Sequence, residues 1–245
     1  MELVYTRTKT IQKDKVSGFC PGCMHATVIK LIGEVLEELQ VVEKTSMVIG
    51  VGCGGLHMDY IAYDNITSPH GRACAVATGM KRGNPDQIIF TYQGDGDLAA
   101  IGLGESISAA NRGENITVIF VNNGIYGMTG GQMAPTTLLG MKATTAQQGR
   151  DAAEHGYPMH MCEIMNCLTA PAYLVRTSCN TPANCMKTKR CIKKAFQNQL
   201  DKKGFSMVEI VTSCPTNWGL DAMDSLNYLE EKMLPEFPLG VVRDR

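Results

Sequence analysis

Two groups of residues in this 245-residue chain have types and spacings that suit chemistry. In "GDGDLAAIGLGESISAANRGENITVIFVNN", residues 94–123, Asp95 is held between Gly94 and Gly96, and Asn123 closes the stretch. A carboxylate and an amide oxygen are hard donors. Placed at the carboxyl ends of neighbouring parallel strands, they would share a cation such as Mg²⁺ that also takes phosphate oxygens. The flanking glycines let a ligand approach the backbone, and free amides at the start of the next helix favour an anion. The plainer alternative is an ordinary turn in which Asp95 caps that helix.

The second group is sulfur. "FCPGCMH" holds Cys20 and Cys23, "GVGCGG" holds Cys53, and "SCPTNW" holds Cys214. A CxxC pair ahead of a helix brings two thiols to a positive helix end, which predicts lowered thiol pKa values and a site for an anionic metal cluster. Four thiolates suit either [4Fe–4S] or zinc, and spacing alone leaves the choice open. The other six of the ten cysteines, Cys74, Cys162, Cys167, Cys179, Cys185 and Cys191, follow no metal-binding spacing and read as buried or incidental thiols. His25, His57 and Arg72 are each as consistent with packing or a surface ion pair as with a role at a site.

An alternation of helices and strands must position these groups. Residues 24–39 carry Val28, Ile32, Val35 and Leu39 on one helical stripe, and 46–51 reads as a buried strand ending in glycines. A strand at 87–92, a helix at 98–112 and a strand at 116–121 form a βαβ unit with parallel neighbours. Further strands are expected at 172–177 and 205–211, and helices at 184–202 and 220–233. The Gly- and Thr-rich stretch 127–150 reads as long loops near a site. The chain is therefore expected to be α/β, with a mainly parallel sheet flanked by helices, in a single domain over 1–245. Within it, 1–45 forms an N-terminal CxxC arm and helix, 46–213 the α/β core, and 214–245 a C-terminal arm.

Composition narrows the function. With 44% hydrophobic and 19% charged residues and a net charge of −1, the chain has material for one large core. Its Lys and Arg residues are scattered, which speaks against nucleic acid or a membrane surface as partner. The first 16 residues carry charges where a signal peptide would be apolar, and no run approaches the roughly 18 apolar residues of a membrane span, so a cytoplasmic chain is expected. Cysteines kept reduced there more often bind metal or do redox chemistry than pair.

The order of "CPGC", "GVGC", "HGRACAVATGMK", "YQGDGDLAAIG", "VNNGIYGMTGGQMAPTT" and "CPTNWG" resembles the β subunits of 2-oxoacid:ferredoxin oxidoreductases, with most likeness to the 2-oxoisovalerate type. The resemblance runs over essentially the whole chain. It implies a thiamine-diphosphate-binding (PP-type) domain, with Mg²⁺ held by Asp95, Asn123 and the carbonyl of Ile125. It implies one [4Fe–4S] cluster on Cys20, Cys23, Cys53 and Cys214. The implied cofactor contacts are Val51, Gly52, Cys53, Gly54, His70, Gly94, Gly96, Asp97, Gly127 and Met128, with His70 also a catalytic candidate. Gly54 stands where serine is common, and Met24 interrupts the usual "CPGCGH".

The implied reaction is oxidative decarboxylation of a 2-oxoacid to acyl-CoA and CO₂, with electrons passed to ferredoxin. The implied partners are an α subunit with the pyrimidine domain, γ and ferredoxin-like δ subunits, ferredoxin and coenzyme A, and the chain alone is expected to be inactive. The resemblance favours branched-chain substrates, and "GGLHMDYIAYD" after Cys53 offers no Arg or Lys for a second carboxylate, which counts mildly against 2-oxoglutarate. 2-Oxoglutarate and pyruvate are the substrate alternatives. A zinc-stabilised, non-catalytic nucleotide-binding module is the alternative from another class.

Overall fold

The computed structural model of the chain describes residues 7–245, so the first six residues of the expected N-terminal arm lie outside it. In chain order the strands are β1 (Thr45–Ile49), β2 (Asp64–Thr67), β3 (Ile88–Gly94), β4 (Thr117–Asn122), β5 (Ile125–Tyr126), β6 (Gln132–Met133), β7 (Tyr173–Ser178), β8 (Ser206–Val211) and β9 (Gly240–Asp244). The helices are α1 (His25–Glu38), α2 (Ala73–Gly83), α3 (Leu103–Asn111), α4 (Ala152–His155), α5 (Met161–Asn166), α6 (Pro182–Leu200), α7 (Pro215–Trp218), α8 (Ala222–Tyr228) and α9 (Leu234–Glu236). Seven strands form one sheet in the order β2-β1-β3-β4-β8-β7-β9, parallel except for β9, which runs antiparallel to β7. β5 and β6 form a separate hairpin.

Helices cover both faces, and this explains the runs of apolar sequence. β4, β7 and β8 are buried at every residue, as strands sandwiched between helix layers must be. On one face α1 and α6 pack over Ile49, Phe90, Val175 and Val208, and Lys189 ties them by contacts of 2.7 Å to Glu34 and 2.8 Å to Glu38. On the other face α2, α3 and α5 close over Val48, Val118, Phe120 and Met207. α6 starts two residues earlier than expected, with Pro182 at its first position and Thr181 accepting from the Asn184 amide at 3.1 Å.

Several elements differ from expectation. The first strand ends at Ile49, which leaves Val51 in a loop rather than in the sheet. The helix expected at 98–112 is a wide π-type turn at 96–101 followed by α3, broken at Gly102. The helix expected at 220–233 is α8 followed by a similar wide turn at 229–233. β2 and β9 were not expected at all. β2 is exposed at all four residues and β9 is mostly exposed, so neither carries the apolar run that marks a central strand. β9 also puts residues 240–244, assigned from sequence to a C-terminal arm, on the edge of the core sheet.

Candidate active site at the strand ends

Four adjacent strands, β1, β3, β4 and β8, deliver the chemistry to one rim. Cys53 follows β1, Asp95 follows β3, Asn123 follows β4, and Cys214 lies three residues beyond β8. The register pairs Gly94 with Val121, which sets Asp95 beside the "NNG" turn.

The Asp95 carboxylate is 2% exposed and densely bonded. Its Oδ1 accepts the Gly96 amide at 2.9 Å; its Oδ2 accepts the Ile125 amide at 3.1 Å and the Thr136 hydroxyl at 2.8 Å. Asn123 Oδ1 accepts the same Ile125 amide, also at 3.1 Å. One N–H therefore draws the carboxylate and the amide oxygen to a common point. Burial pushes the Asp95 carboxyl up to about 6, against the hydrogen bonds that favour its ionised form. Ile125 contributes its amide to this pair, and it is not among the cleft-lining residues.

Asp97 has a different task. Its carboxylate accepts from the amides of Val51 (3.1 Å) and Gly71 (2.9 Å) and from Gln93 Nε2 (2.7 Å), and it accepts from His70 Nδ1 at 2.6 Å. It thus staples the loop after β1, the turn before α2 and the end of β3. An ionised carboxylate only accepts, so His70 Nδ1 carries the proton and Nε2 is left for the cleft. All ten expected cofactor contacts line that cleft: Val51, Gly52, Cys53, Gly54, His70, Gly94, Gly96, Asp97, Gly127 and Met128. His25, Tyr126 and Thr129 line it too, and no Lys or Arg does. The backbone at Gly96 must be bare, since a Cβ there would sit 2.1 Å from the Tyr126 ring. A roomier cavity of about 360 Å³ lies beside Tyr173, Lys187 and Val241 and contains none of the expected site residues.

The four motif cysteines share one neighbourhood. A Cβ on Gly127 would stand 3.0 Å from Cys53 Sγ and 3.7 Å from Cys214 Sγ, so this glycine is the wall between the cleft and the sulfurs. The Cys20–Cys23 loop packs on α7 and α8. A Cβ on Gly22 would lie 2.8 Å from Ala222 Cβ and 3.4 Å from Pro215 Cγ, and Ser213 Oγ donates to the Gly22 carbonyl at 3.4 Å. The lowered thiol pKa values expected at the helix start are not found. Burial pushes Cys23 up to about 11, outweighing its backbone hydrogen bond at the start of α1. Burial also pushes Cys53 up to about 12, with Cys214, Cys23, Cys20 and Asp95 adding to the rise, and it raises Cys214. The sulfurs and the carboxylate thus feel one another. Among the described residues, no three His, Cys, Asp or Glu side chains converge closely enough to hold a single metal ion.

His25 and His57 belong to an aromatic cluster. His25 stacks on Phe19 with centroids 5.0 Å apart, and its Nδ1 shares a 2.7 Å hydrogen bond with the Tyr92 hydroxyl. His57 lies between Phe19 and Tyr92. Burial lowers His25 to about 4 and His57 to about 3, so both are neutral near pH 7. Arg72 pairs with Glu105 at 2.6 Å rather than facing the cleft.

Sequence reading missed the supports of the "NNG" turn. Thr136 binds Asp95, and the Thr137 hydroxyl donates to the Gly124 carbonyl at 2.5 Å. Trp218 Nε1 holds the Asn123 carbonyl at 3.2 Å. Arg150, 6% exposed, donates to the carbonyls of Ala134, Pro135, Thr137, His155, Gly156 and Tyr157 and so gathers the 134–157 loops behind the turn. Beneath them, Asn122 Nδ2 donates to Glu209 Oε1 at 2.8 Å, while Glu209 Oε2 lies 2.9 Å from Arg176 Nε. Glu209 and Arg176 are 0% and 1% exposed, and Arg176 reaches outward to Glu163.

Removing one partner of such a buried pair strands the other charge, which costs about 3–5 kcal/mol. Glu209→Ala is thus expected to lower the thermal midpoint by roughly 6–15 °C, at about 2–3 °C per kcal/mol for a chain of this size. A thermal scan monitored by circular dichroism measures it.

The comparisons agree with this geometry. A family profile, "Thiamine pyrophosphate enzyme, C-terminal TPP binding domain", matches residues 50–210. The ketoisovalerate oxidoreductase subunit VorA of Methanothermobacter thermautotrophicus is 48% identical over 227 residues, which cover 93% of this chain and 48% of that protein. The chain therefore spans about half the length of that relative. The 2-oxoglutarate synthase subunit KorB of Methanocaldococcus jannaschii is 40% identical over 202 residues, covering 82% of this chain and 70% of its own. Among solved structures, the 2-oxoglutarate:ferredoxin oxidoreductase from Magnetococcus marinus, with 2-oxoglutarate, coenzyme A and succinyl-CoA bound, superposes with a TM-score of 0.80 at 24% identity. It covers 100% of this chain and 87% of that one.

Proposed function

From the premise that the chain belongs to the thiamine-pyrophosphate-binding β-type subunits of the 2-oxoacid:ferredoxin oxidoreductases, we propose that it forms one half of an active site for the CoA-dependent oxidative decarboxylation of a 2-oxoacid. The observation that carries this reading is Gly127, whose backbone separates the cleft from the sulfurs of Cys53 and Cys214. A group bound in the cleft and a cluster held by those sulfurs would be neighbours, as electron transfer between them needs.

The donor sets fit the groups proposed. Asp95 and Asn123 offer two hard oxygens at one point, which suits Mg²⁺ on a diphosphate, with the Ile125 carbonyl as a third ligand. Cys20, Cys23, Cys53 and Cys214 form a nest of soft donors beside the cleft, which suits the [4Fe–4S] cluster that the family implies. Thiamine diphosphate supplies the nucleophilic carbon and electron sink for decarboxylation, and an iron–sulfur cluster supplies one-electron transfer. The chain's own residues orient and exclude. The Gly96 amide and the bare glycine backbone admit the diphosphate, and Asp97 aims His70 Nε2 at the cleft as a proton carrier or phosphate donor. Tyr126 and Met128 give the cleft its larger apolar surfaces.

The cleft encloses only about 90 Å³, far below the roughly 300 Å³ at which small-molecule sites begin, which supports a second chain supplying the remaining wall. An α subunit with a pyrimidine domain fits that need, with γ and δ chains carrying electrons to ferredoxin. The absence of Lys and Arg from the cleft lining favours a 2-oxoacid with an apolar side chain, 2-oxoisovalerate first, over 2-oxoglutarate. All ten cysteines are free, which supports a reducing cytoplasmic setting. Among the described residues no helix is long and apolar enough to cross a membrane.

The test is 2-oxoacid-dependent viologen reduction by the chain with Mg²⁺ and thiamine diphosphate, alone and with its partner subunits. Activity is expected only in the assembly, highest with 2-oxoisovalerate. Full activity from the isolated chain would refute the half-site reading, and a clear preference for 2-oxoglutarate would reverse the substrate ranking.

A further inference from the structure

At the same end of the sheet, one strand beyond the one that delivers Cys214, two thiols outside the motif set meet where β7 passes into α6. Cys179 directly follows the last residue of β7 and is 8% exposed; Cys185 lies in the first turn of α6, past the Thr181 cap, and is half-buried. Cys185 Sγ donates to the carbonyl of Cys179 at 3.4 Å, which sets the two thiols side by side, close enough for each to shift the other's acidity. The remaining cysteines outside the motif set are placed differently. Cys74 and Cys162 are fully buried, Cys167 is exposed with its sulfur on the Glu163 carbonyl, and Cys191 bonds to Tyr173.

We propose that Cys179 and Cys185 are a redox-active dithiol that closes to an intramolecular disulfide when the protein meets a hydroperoxide. The Cys185 sulfur attacks one peroxide oxygen, the O–O bond breaks, and the departing hydroxide takes a proton and leaves as water. This makes a sulfenic acid on Cys185. The Cys179 sulfur then attacks that sulfur, the S–O bond breaks, and a second water leaves with the Cys179 proton. Two thiols are oxidised by two electrons, and one peroxide is reduced to two waters.

The roles follow from the surroundings. Cys185 is the nucleophile because it is the more accessible sulfur and its thiolate is favoured. The neighbouring Cys179 thiol lowers the Cys185 thiol, burial opposes, and Lys30 and the backbone add support. Cys179 is pushed up by its neighbour Cys185 and by burial, so it stays a thiol until the sulfenic acid forms beside it. A resolving thiol already in contact leaves little time for further, irreversible oxidation. The site does not depend on the cofactor assignment, since none of the cleft or cluster residues takes part.

Trypsin cuts after Arg176 and Lys187, so both sulfurs leave on one fragment, residues 177–187. The assembled enzyme is treated anaerobically with a few equivalents of hydrogen peroxide, alkylated and digested. The fragment is expected two hydrogens lighter and unalkylated, and to regain two alkylation sites after dithiothreitol. In Cys179→Ser, dimedone should trap a sulfenic acid on Cys185, and in Cys185→Ser the loss of reactive thiol from this fragment should slow by roughly tenfold or more. The proposal is overturned if the wild-type fragment stays doubly alkylated while Cys167 is oxidised, or if Cys185 pairs with a cysteine other than Cys179. Iron content and the visible spectrum, read on the same samples, report the strand-end cysteines separately.

Discussion

Asp95→Ala is expected to lower the affinity for thiamine diphosphate with Mg²⁺ by a factor on the order of 100 or more, equivalent to about 2.7 kcal/mol. The substitution removes the one carboxylate at the common point made by the Ile125 amide, and Asn123 alone leaves the diphosphate charge poorly compensated. Titration calorimetry with and without Mg²⁺ measures the effect, and unchanged affinity would sink the cation assignment.

The same residue sets a pH dependence. Its folded-state pKa is raised by burial from 3.8 to about 6, so in the chain without a cation its protonated form is favoured by folding. That contribution to stability is complete below about 3.8 and is lost as pH rises through about 6. Cation binding needs the ionised form, so it runs the other way: Mg²⁺-dependent affinity should fall as pH drops below about 6, approaching tenfold per unit.

Cys214→Ala should strip or damage the cluster and cut ferredoxin reduction by the assembled enzyme by roughly 100-fold. A missing thiolate leaves one iron without its ligand. The residue also anchors α7: Asn217 Nδ2 bonds both Cys214 Sγ at 3.3 Å and the Gly127 carbonyl at 2.9 Å. Iron analysis and a low-temperature electron paramagnetic resonance spectrum of the dithionite-reduced protein report the cluster, and stopped-flow kinetics report electron transfer. Normal ferredoxin reduction with full iron would show that Cys214 is not a ligand. A colourless wild-type protein with stoichiometric zinc would support the non-catalytic alternative.

What the sequence disclosed follows from the range of the interactions involved. The acid between glycines, the paired asparagines and the cysteine spacings are local patterns tied to strand ends, and the sheet carries Asp95, Asn123, Cys53 and Cys214 to one rim. The central strands were visible because two-sided burial demands apolar residues, whereas β2 and β9 sit at edges where exposure permits polar ones. Thiol acidity was misjudged because a helix end is visible in sequence and burial is not: desolvation at Cys23 outweighs the amide at the start of α1. Asp97 lines the cleft, and its carboxylate is also committed to three neighbouring segments, one of them carrying His70, a network that no local pattern reveals. The contacts of Thr136, Trp218, and Glu209 with Arg176 join residues between 33 and 95 positions apart, and no window along the chain reveals them.

Arg150 carries a consequence for motion. Six carbonyls from two separated stretches, 134–137 and 155–157, converge on one guanidinium, so withdrawing that side chain leaves all six short of a donor at once. Such a segment opens all at once or hardly at all, as a single foldon, and its amides should exchange with deuterium together despite the near absence of regular structure. The backing of the Asn122–Gly124 turn thus hangs on one side chain about 14 positions from Thr136, which touches Asp95 directly.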